Sequence, residues 1–172
     1  MVNINYVVAV YGGERRTYSD TPVNLFVSKH IEFLTTKPKK FGGFTFVINK
    51  SNNDFEIIDM INEFISKSPL NGKLIVRDNY NASYGAWEEV ILNTYKNYTH
   101  SFLIEDDYLP VNETFIDYFL EKDIENTSFV SSFEHRGFAS ISNGLLNHKV
   151  VNPTIKKHKH LFKLEQDKKI KS

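Results

Sequence analysis

Residues 44–79 read FTFVINKSNNDFEIIDMINEFISKSPLNGKLIVRDN, and this stretch contains one full structural cycle. Phe44 to Asn49 (FTFVIN) reads as a strand. From Asp54 to Ser66 the apolar residues Phe55, Ile58, Ile61, Phe64 and Ile65 recur at three- and four-residue spacing, with Asn62 and Glu63 on the polar side, which predicts a helix. Lys73 to Asn79 (KLIVRDN) is again a strand. Outward from this unit the alternation continues in both directions. Tyr6 to Val10 is a short, partly β-branched apolar run stopped by Gly12 and Gly13, as suits a strand buried on both faces. Pro22 to Thr35 carries Val23, Phe26, Val27, His30, Ile31 and Leu34 at helical spacing, with Thr21 as N-cap and Pro22 in the first helical position. Downstream come a helix over Ser83 to Tyr95, a strand over His100 to Asp106, a helix from about Asn112 to Glu121 and a strand over Thr127 to Phe133. Strands alternating with helices predict an α/β, Rossmann-like, mainly parallel sheet with helices on both faces.

The whole chain is consistent with this. At 172 residues and 41% hydrophobic it is long enough for one well-packed domain, expected over residues 1–150, followed by a Lys-rich tail over residues 151–172. Lys plus Arg and Asp plus Glu are both 21, so no global field favours nucleic acid or an anionic membrane as partner. The absence of cysteine removes disulfides, thiolate metal sites and cysteine nucleophiles together. No run approaches the roughly 18 to 20 apolar residues of a membrane span, and the N-terminus lacks a basic leader, so the chain reads as soluble and cytoplasmic.

In sheets of this kind ligands sit beyond the carboxyl ends of the strands, so the residues after each strand are the ones that matter. The first strand leads into Tyr11, Gly12, Gly13, Glu14, Arg15 and Arg16, where glycines let the backbone approach a ligand and guanidinium groups suit phosphate. An ordinary turn with exposed basic residues fits the same letters. Neither GxGxxG nor GxxxxGK[ST] is present, which argues against nicotinamide-dinucleotide enzymes and P-loop NTPases. After the second strand comes a polar loop including Asn52 and Asp54, where Asp54 also fits simple capping of the next helix. After the third come Arg77, Asn79, Ser83 and Gly85, the last two small enough for a phosphate or ribose to approach free backbone amides. The fourth ends in Glu105, Asp106 and Asp107. Three acids in succession repel one another, and a divalent cation relieves that repulsion; Mg²⁺ in particular is often held by one or two carboxylates plus substrate phosphates. If strand geometry persists, Glu105 and Asp107 point the same way and Asp106 the other.

Together, the element order and the segments RDNYNASYGAWEEV (77–90) and FLIEDDY (102–108) resemble the nucleotide-sugar-binding half of glycosyltransferases with the GT-A fold, small family-2-like viral or bacterial domains among them. The resemblance runs from about Val7 to Leu146. It implies a nucleotide-diphospho-sugar transferase fold and an acidic DxD-type motif that binds Mn²⁺ or Mg²⁺, here Glu105-Asp106-Asp107 with Glu in the first place. Asp107 and Glu105 are then the expected metal ligands. Tyr11, Asn52, Asp54, Arg77, Asn79, Ser83, Gly85 and Asp106 are the expected nucleotide contacts. The first loop departs from the pattern, because YGGERR stands where a Pro-x-Tyr-Asn-like sequence is frequent in that superfamily.

The implied activity is metal-dependent transfer of a sugar from a nucleotide diphosphate donor, a UDP-sugar by preference, to a glycan or other hydroxyl acceptor. An inverting reaction also needs a base near that hydroxyl. The region after the fifth strand offers Glu134, with His135 second, and exposed loop residues without a role fit there equally well. His148, His158 and His160 are candidate further metal ligands, although histidines in a Lys-rich tail are commonly solvated. The short C-terminus reads either as one domain of a longer polypeptide or as a minimal enzyme with an open acceptor site. Two other classes share the same sheet and carboxylates. A nucleotidyltransferase or metal-dependent phosphohydrolase is one, and the Gly-rich, basic YGGERR loop partly matches a triphosphate grip. A non-catalytic nucleotide-sugar-binding module is the other.

Overall fold

The computed structural model describes residues 1–13, 21–36, 38–51, 54–94, 96–110, 112, 114–123, 127–131, 134–135, 138–139 and 143–154, of which 134–135 and 138–139 are described by backbone alone. Along these residues the order is β1 (Ile4–Tyr11), α1 (Val23–Thr35), β2 (Phe41–Asn49), α2 (Phe55–Lys67), β3 (Asn71–Arg77), α3 (Ala82–Thr94), β4 (His100–Glu105), α4 (Phe115–Lys122), β5 (Phe129–Ser131), β6 (Glu134–His135), β7 (Phe138–Ala139) and β8 (Asn143–Asn147). Residues 148–154 are helical as well, so regular structure continues past residue 150.

Six strands form one sheet in the order β3-β2-β1-β4-β8-β5. β1 lies parallel to β2 and to β4, and β2 parallel to β3, while β8 runs antiparallel between β4 and β5. The expected mainly parallel α/β sheet is therefore present. Side chains alternate across β1. Ile4, Tyr6, Val8 and Val10 pack with Val27 and Leu34 of α1, Ile57 and Ile61 of α2, and Ile116 and Phe119 of α4. Val7 and Ala9 face Ala86, Trp87 and Val90 of α3 on the other side. Every residue of β1 up to Val10 is buried, which suits a segment that is apolar apart from Asn5, whose side chain donates to Thr45 Oγ1 at 3.2 Å. On the three-helix face Phe102 stands edge-on to Phe115 and Phe119, with ring centroids 5.0 Å and 4.9 Å away, an arrangement favoured by the aromatic quadrupole.

Two expectations are corrected, and one strand is new. Pro22, rather than Thr21, occupies the N-cap position of α1, and it makes no side-chain cap bond. Phe55 is 80% exposed, whereas Ile57 is buried; two residues along a helix rotate a side chain by about 200°, so the Ile57–Ile61 row faces the sheet and Phe55 faces away. The strand β8 was not expected from the sequence.

The winding fixes the place of the site. The β1–β2 and β2–β3 crossovers carry α1 and α2 on one face, and the β3–β4 crossover carries α3 on the other. The sense of winding therefore reverses between β1 and β4, and the crevice beyond their carboxyl ends is the topological switch point.

Candidate functional site

At the switch point β4 follows β1 until Glu105, which lies opposite Ala9. One more ladder bond forms, from the Asp106 amide to the Ala9 carbonyl at 3.1 Å. The chain then turns away, and the Tyr11 amide would lack a partner from β4. The Asp106 carboxylate takes that place, accepting the Tyr11 N–H at 3.0 Å, and Asp106 is only 4% exposed. The Asp106 carbonyl, freed from the ladder, accepts a hydrogen bond from His30 Nε2 at 2.9 Å. A carbonyl only accepts, so Nε2 carries the proton and Nδ1 is the acceptor of the Tyr6 hydroxyl, 2.8 Å away. Burial lowers the His30 pKa to about 4, a shift only partly opposed by its bond to the Asp106 backbone. Burial likewise raises the Tyr6 phenol well above its ordinary value. Both groups are neutral near pH 7.

Glu105 lies on the opposite, α3 side and accepts the Ser83 hydroxyl at 2.6 Å. Asp107 is exposed on the turn. Because the strand ends at Glu105, the alternation that would align Asp107 with Glu105 does not extend that far.

The first loop rests on the second. Asp54 accepts both the Ser51 amide and the Ser51 hydroxyl, each at 2.6 Å, and makes no cap bond to α2. Gly12 packs against this pair: a Cβ there would overlap Asp54 Oδ1 and come within 2.9 Å of Ser51 Oγ. Tyr11 and Gly12 are thus held by Asp106 on one side and flanked by Asp54 on the other.

Arg77 is buried, 6% exposed, beneath the start of α3. Its Nη1 donates to Asn49 Oδ1, its Nη2 donates to the Tyr80 carbonyl at 3.1 Å, and its guanidinium stacks 3.8 Å over the Tyr80 ring. Nε lies 3.2 Å from Glu89 Oε2, an ion pair in which the N–H is not aimed for a hydrogen bond. Gly85 makes room for this guanidinium, since a Cβ would overlap the Tyr80 carbonyl and sit 2.7 Å from Nη2. Asn79 is exposed on the loop. Asn81 and Ala82 take left-handed φ values of 54° and 45°, which costs an alanine on the order of 1–2 kcal/mol.

The structure therefore brings together Tyr11 with Asp106, Ser83 with Glu105, and Arg77 with Gly85. Asn52, His158 and His160 lie outside the described residues. Glu134 and His135 form β6, paired with β7 in a separate two-stranded sheet, and their side chains lie outside the described residues. His148 sits at the other end of β4: its amide donates to the Thr99 carbonyl, its Nδ1 donates to Tyr98 O at 2.9 Å, and its Nε2 accepts from Ser101 Oγ at 3.0 Å. At roughly 3.3 Å per strand residue this is about 20 Å from Asp106, too far to share a cation with it. Among the described residues no cluster of three or more His, Cys, Asp or Glu stands ready to hold a metal, and no helix is long and apolar enough to cross a membrane.

Sequence reasoning missed His30, Tyr6 and Glu89. One signal was available: His30 is a polar residue at an otherwise apolar position of a helix that leaves the first strand.

No protein-family model and no curated protein matches the chain. Solved structures do. A cytidylyltransferase from Leptospira borgpetersenii matches with TM-score 0.52 at 14% identity over 89% of this chain and 63% of its own. An Aquifex aeolicus protein matches at TM-score 0.54 and 14% identity over 96% of this chain and 83% of its own. A CMP:2-keto-3-deoxy-manno-octonic acid synthetase in complex with CTP matches at TM-score 0.51 and 9% identity over 91% of this chain and 78% of its own. This chain thus spans less than two thirds of the Leptospira protein. At these identities the likeness concerns the fold alone; the neighbours named for an activity are a cytidylyltransferase and a synthetase, and neither is named as a glycosyltransferase.

Proposed function

We propose that this chain is a nucleotide-dependent transferase whose reaction is nucleotidyl transfer from a nucleoside triphosphate. The observation that supports this best is the Tyr11–Gly12–Gly13 loop at the switch point, anchored by Asp106 and seated without side-chain room on Asp54 and Ser51. A backbone loop so placed can follow a triphosphate, and Arg15 and Arg16 continue it in sequence. The CTP-bound synthetase and the cytidylyltransferase of the same fold favour the same reading. In the reaction an acceptor oxygen attacks the α-phosphorus, the bond to the bridging oxygen breaks, and pyrophosphate leaves with the electron pair. The proton of an acceptor hydroxyl passes to a base, for which Glu134 and then His135 are the sequence candidates. Glu105 and Asp107 would hold Mg²⁺ or Mn²⁺. Two carboxylates flanking a buried third, with no further protein ligand grouped beside them among the described residues, suit a cation completed by phosphate oxygens and water. Such a cation offsets charge on the leaving phosphates.

Glycosyl transfer from a nucleotide diphosphate sugar is the second reading, favoured by the Glu105-Asp106-Asp107 sequence at the end of β4 and by the Ser83–Glu105 bond that ties it to α3. The two differ in the bond broken. Calorimetry with CTP, UTP, GTP, ATP and UDP-, GDP- and dTDP-sugars, with and without Mg²⁺ or Mn²⁺, is expected to show metal-dependent binding that weakens at least tenfold in Asp107→Ala. Pyrophosphate release from a triphosphate with a hydroxylated or phosphorylated sugar supports nucleotidyl transfer; nucleoside diphosphate release from a sugar nucleotide supports glycosyl transfer instead. Metal-independent binding unaffected by Asp107→Ala would sink the metal role in both.

A further inference from the structure

We propose that Tyr6 and His30 form a positioning relay that sets the turn at Asp106, and through it the geometry of the first loop and the acidic cluster. The relay crosses from the centre of β1 to the switch point in three steps. The Tyr6 hydroxyl donates to His30 Nδ1 at 2.8 Å, His30 Nε2 donates to the Asp106 carbonyl at 2.9 Å, and the Asp106 carboxylate accepts the Tyr11 amide at 3.0 Å. Tyr6 and His30 are both fully buried and Asp106 nearly so.

The Asp106 carbonyl is the hinge of the argument. In a continuing parallel ladder, β4 would go on pairing with β1 beyond Ala9, closing the crevice between the two strand ends. His30 instead draws that carbonyl toward α1. The backbone leaves the sheet one residue after Glu105, and Asp107 is carried to the exposed rim. A buried carbonyl that left the ladder without an acceptor's partner would be costly, so the turn and His30 require each other. The Asp106 carbonyl sets the imidazole tautomer, and Tyr6, donating to Nδ1, fixes the rotation of the ring. Neither residue touches a reacting group; they act through Asp106.

The functional consequence rests on the proposed nucleotide site, but the hydrogen bonds can be read without any ligand. Amide hydrogen exchange by NMR on the full chain compares Tyr11, at the relay's end, with Val8, deep in the same strand. His30→Leu is expected to speed exchange at Tyr11 at least tenfold more than at Val8, and Asp106→Ala, which removes the acceptor, to do the same. Equal acceleration at the two amides, or none, overturns the relay. Should His30→Leu fail to fold, Tyr6→Phe carries the decision: a rise of about threefold in the Tyr11-to-Val8 ratio supports the relay, and an unchanged ratio overturns it. Calorimetry with CTP and Mg²⁺ on whichever variant folds is expected to show affinity reduced at least tenfold for His30→Leu and at least threefold for Tyr6→Phe. Unchanged affinity alongside a changed exchange ratio overturns the positioning role. If the wild-type chain binds neither CTP nor UDP-glucose in the presence of Mg²⁺, the proposed function falls, while the exchange ratio still decides the relay.

Discussion

His30 is fully buried, bonded through both ring nitrogens, and has its pKa lowered from 6.5 to about 4 mainly by burial. Its folded-state value lies below the unfolded one, so as pH falls the unfolded chain takes up the proton first. The fold is therefore penalised progressively through the window from about 6.5 down to 4 and recovers as pH rises through it. Linkage puts the full penalty at roughly 3 kcal/mol below that window. Urea unfolding of the wild type and of His30→Gln from pH 7.5 to pH 4 should give curves whose difference shifts by an amount of this order toward acid. A difference independent of pH would mean that His30 is not buried in its neutral form. The sequence marked His30 only as one member of an apolar helical stripe. Its two partners, Tyr6 and Asp106, are 24 and 76 residues away, and no local pattern announces contacts at such separation. Glu105, Asp106 and Asp107, by contrast, were legible as candidates because their charge density stands out locally. Their division into an inward, an anchoring and an exposed carboxylate depends on where β4 leaves the sheet.

At the scale of elements, α3 shows how one sequence feature supports two physical readings. A small residue at position 85 permits close approach, and the sequence leaves open what approaches. The structure fills that space with the guanidinium of Arg77 from the preceding strand, which also ties down Asn49 and the Tyr80 carbonyl. Overpacking of a tight contact typically costs about 1–3 kcal/mol. Gly85→Ala should lower the melting temperature of the ligand-free chain, because α3 has to lift from Arg77. With it the Ser83–Glu105 bond loosens, so α3 passes the strain on to the acidic cluster. Thermal denaturation without nucleotide separates the readings: wild-type stability in Gly85→Ala would leave close packing on Arg77 without support and return the position to ligand approach. Asp54 makes a related point. Its place before α2 suggested a cap, yet its carboxylate turns back to Ser51 and so supports Gly12 rather than the helix.

For the molecule as a whole, β1 to β4 and their helices were legible because each is a local periodic pattern and right-handed crossovers leave few ways to assemble them. Farther along, α4 and β5 were legible as well, but β8 was not. β8 is the five-residue segment NGLLN, short and bounded by asparagines, and its role follows from pairing with β4 across a sequence separation of about forty residues. Yet it occupies an interior position. Leu145 is 1% exposed and belongs to the same core as Phe102 and Phe119, and β5 is joined to the sheet only through β8 among the described residues. Without β8, β4 becomes an open edge and β5 has nothing to pair with. A chain ended before Asn143 should therefore lose cooperative unfolding altogether, with near-ultraviolet circular dichroism lost at zero denaturant. Leu145→Ala offers a graded form of the same experiment, with an expected loss of about 2–5 kcal/mol from a fully buried leucine. If the truncated chain kept a sharp urea transition, the carboxyl end of β4 would owe its geometry to β1 and α1 alone. In that case the antiparallel strand would be an accessory to the switch-point site rather than one of its supports.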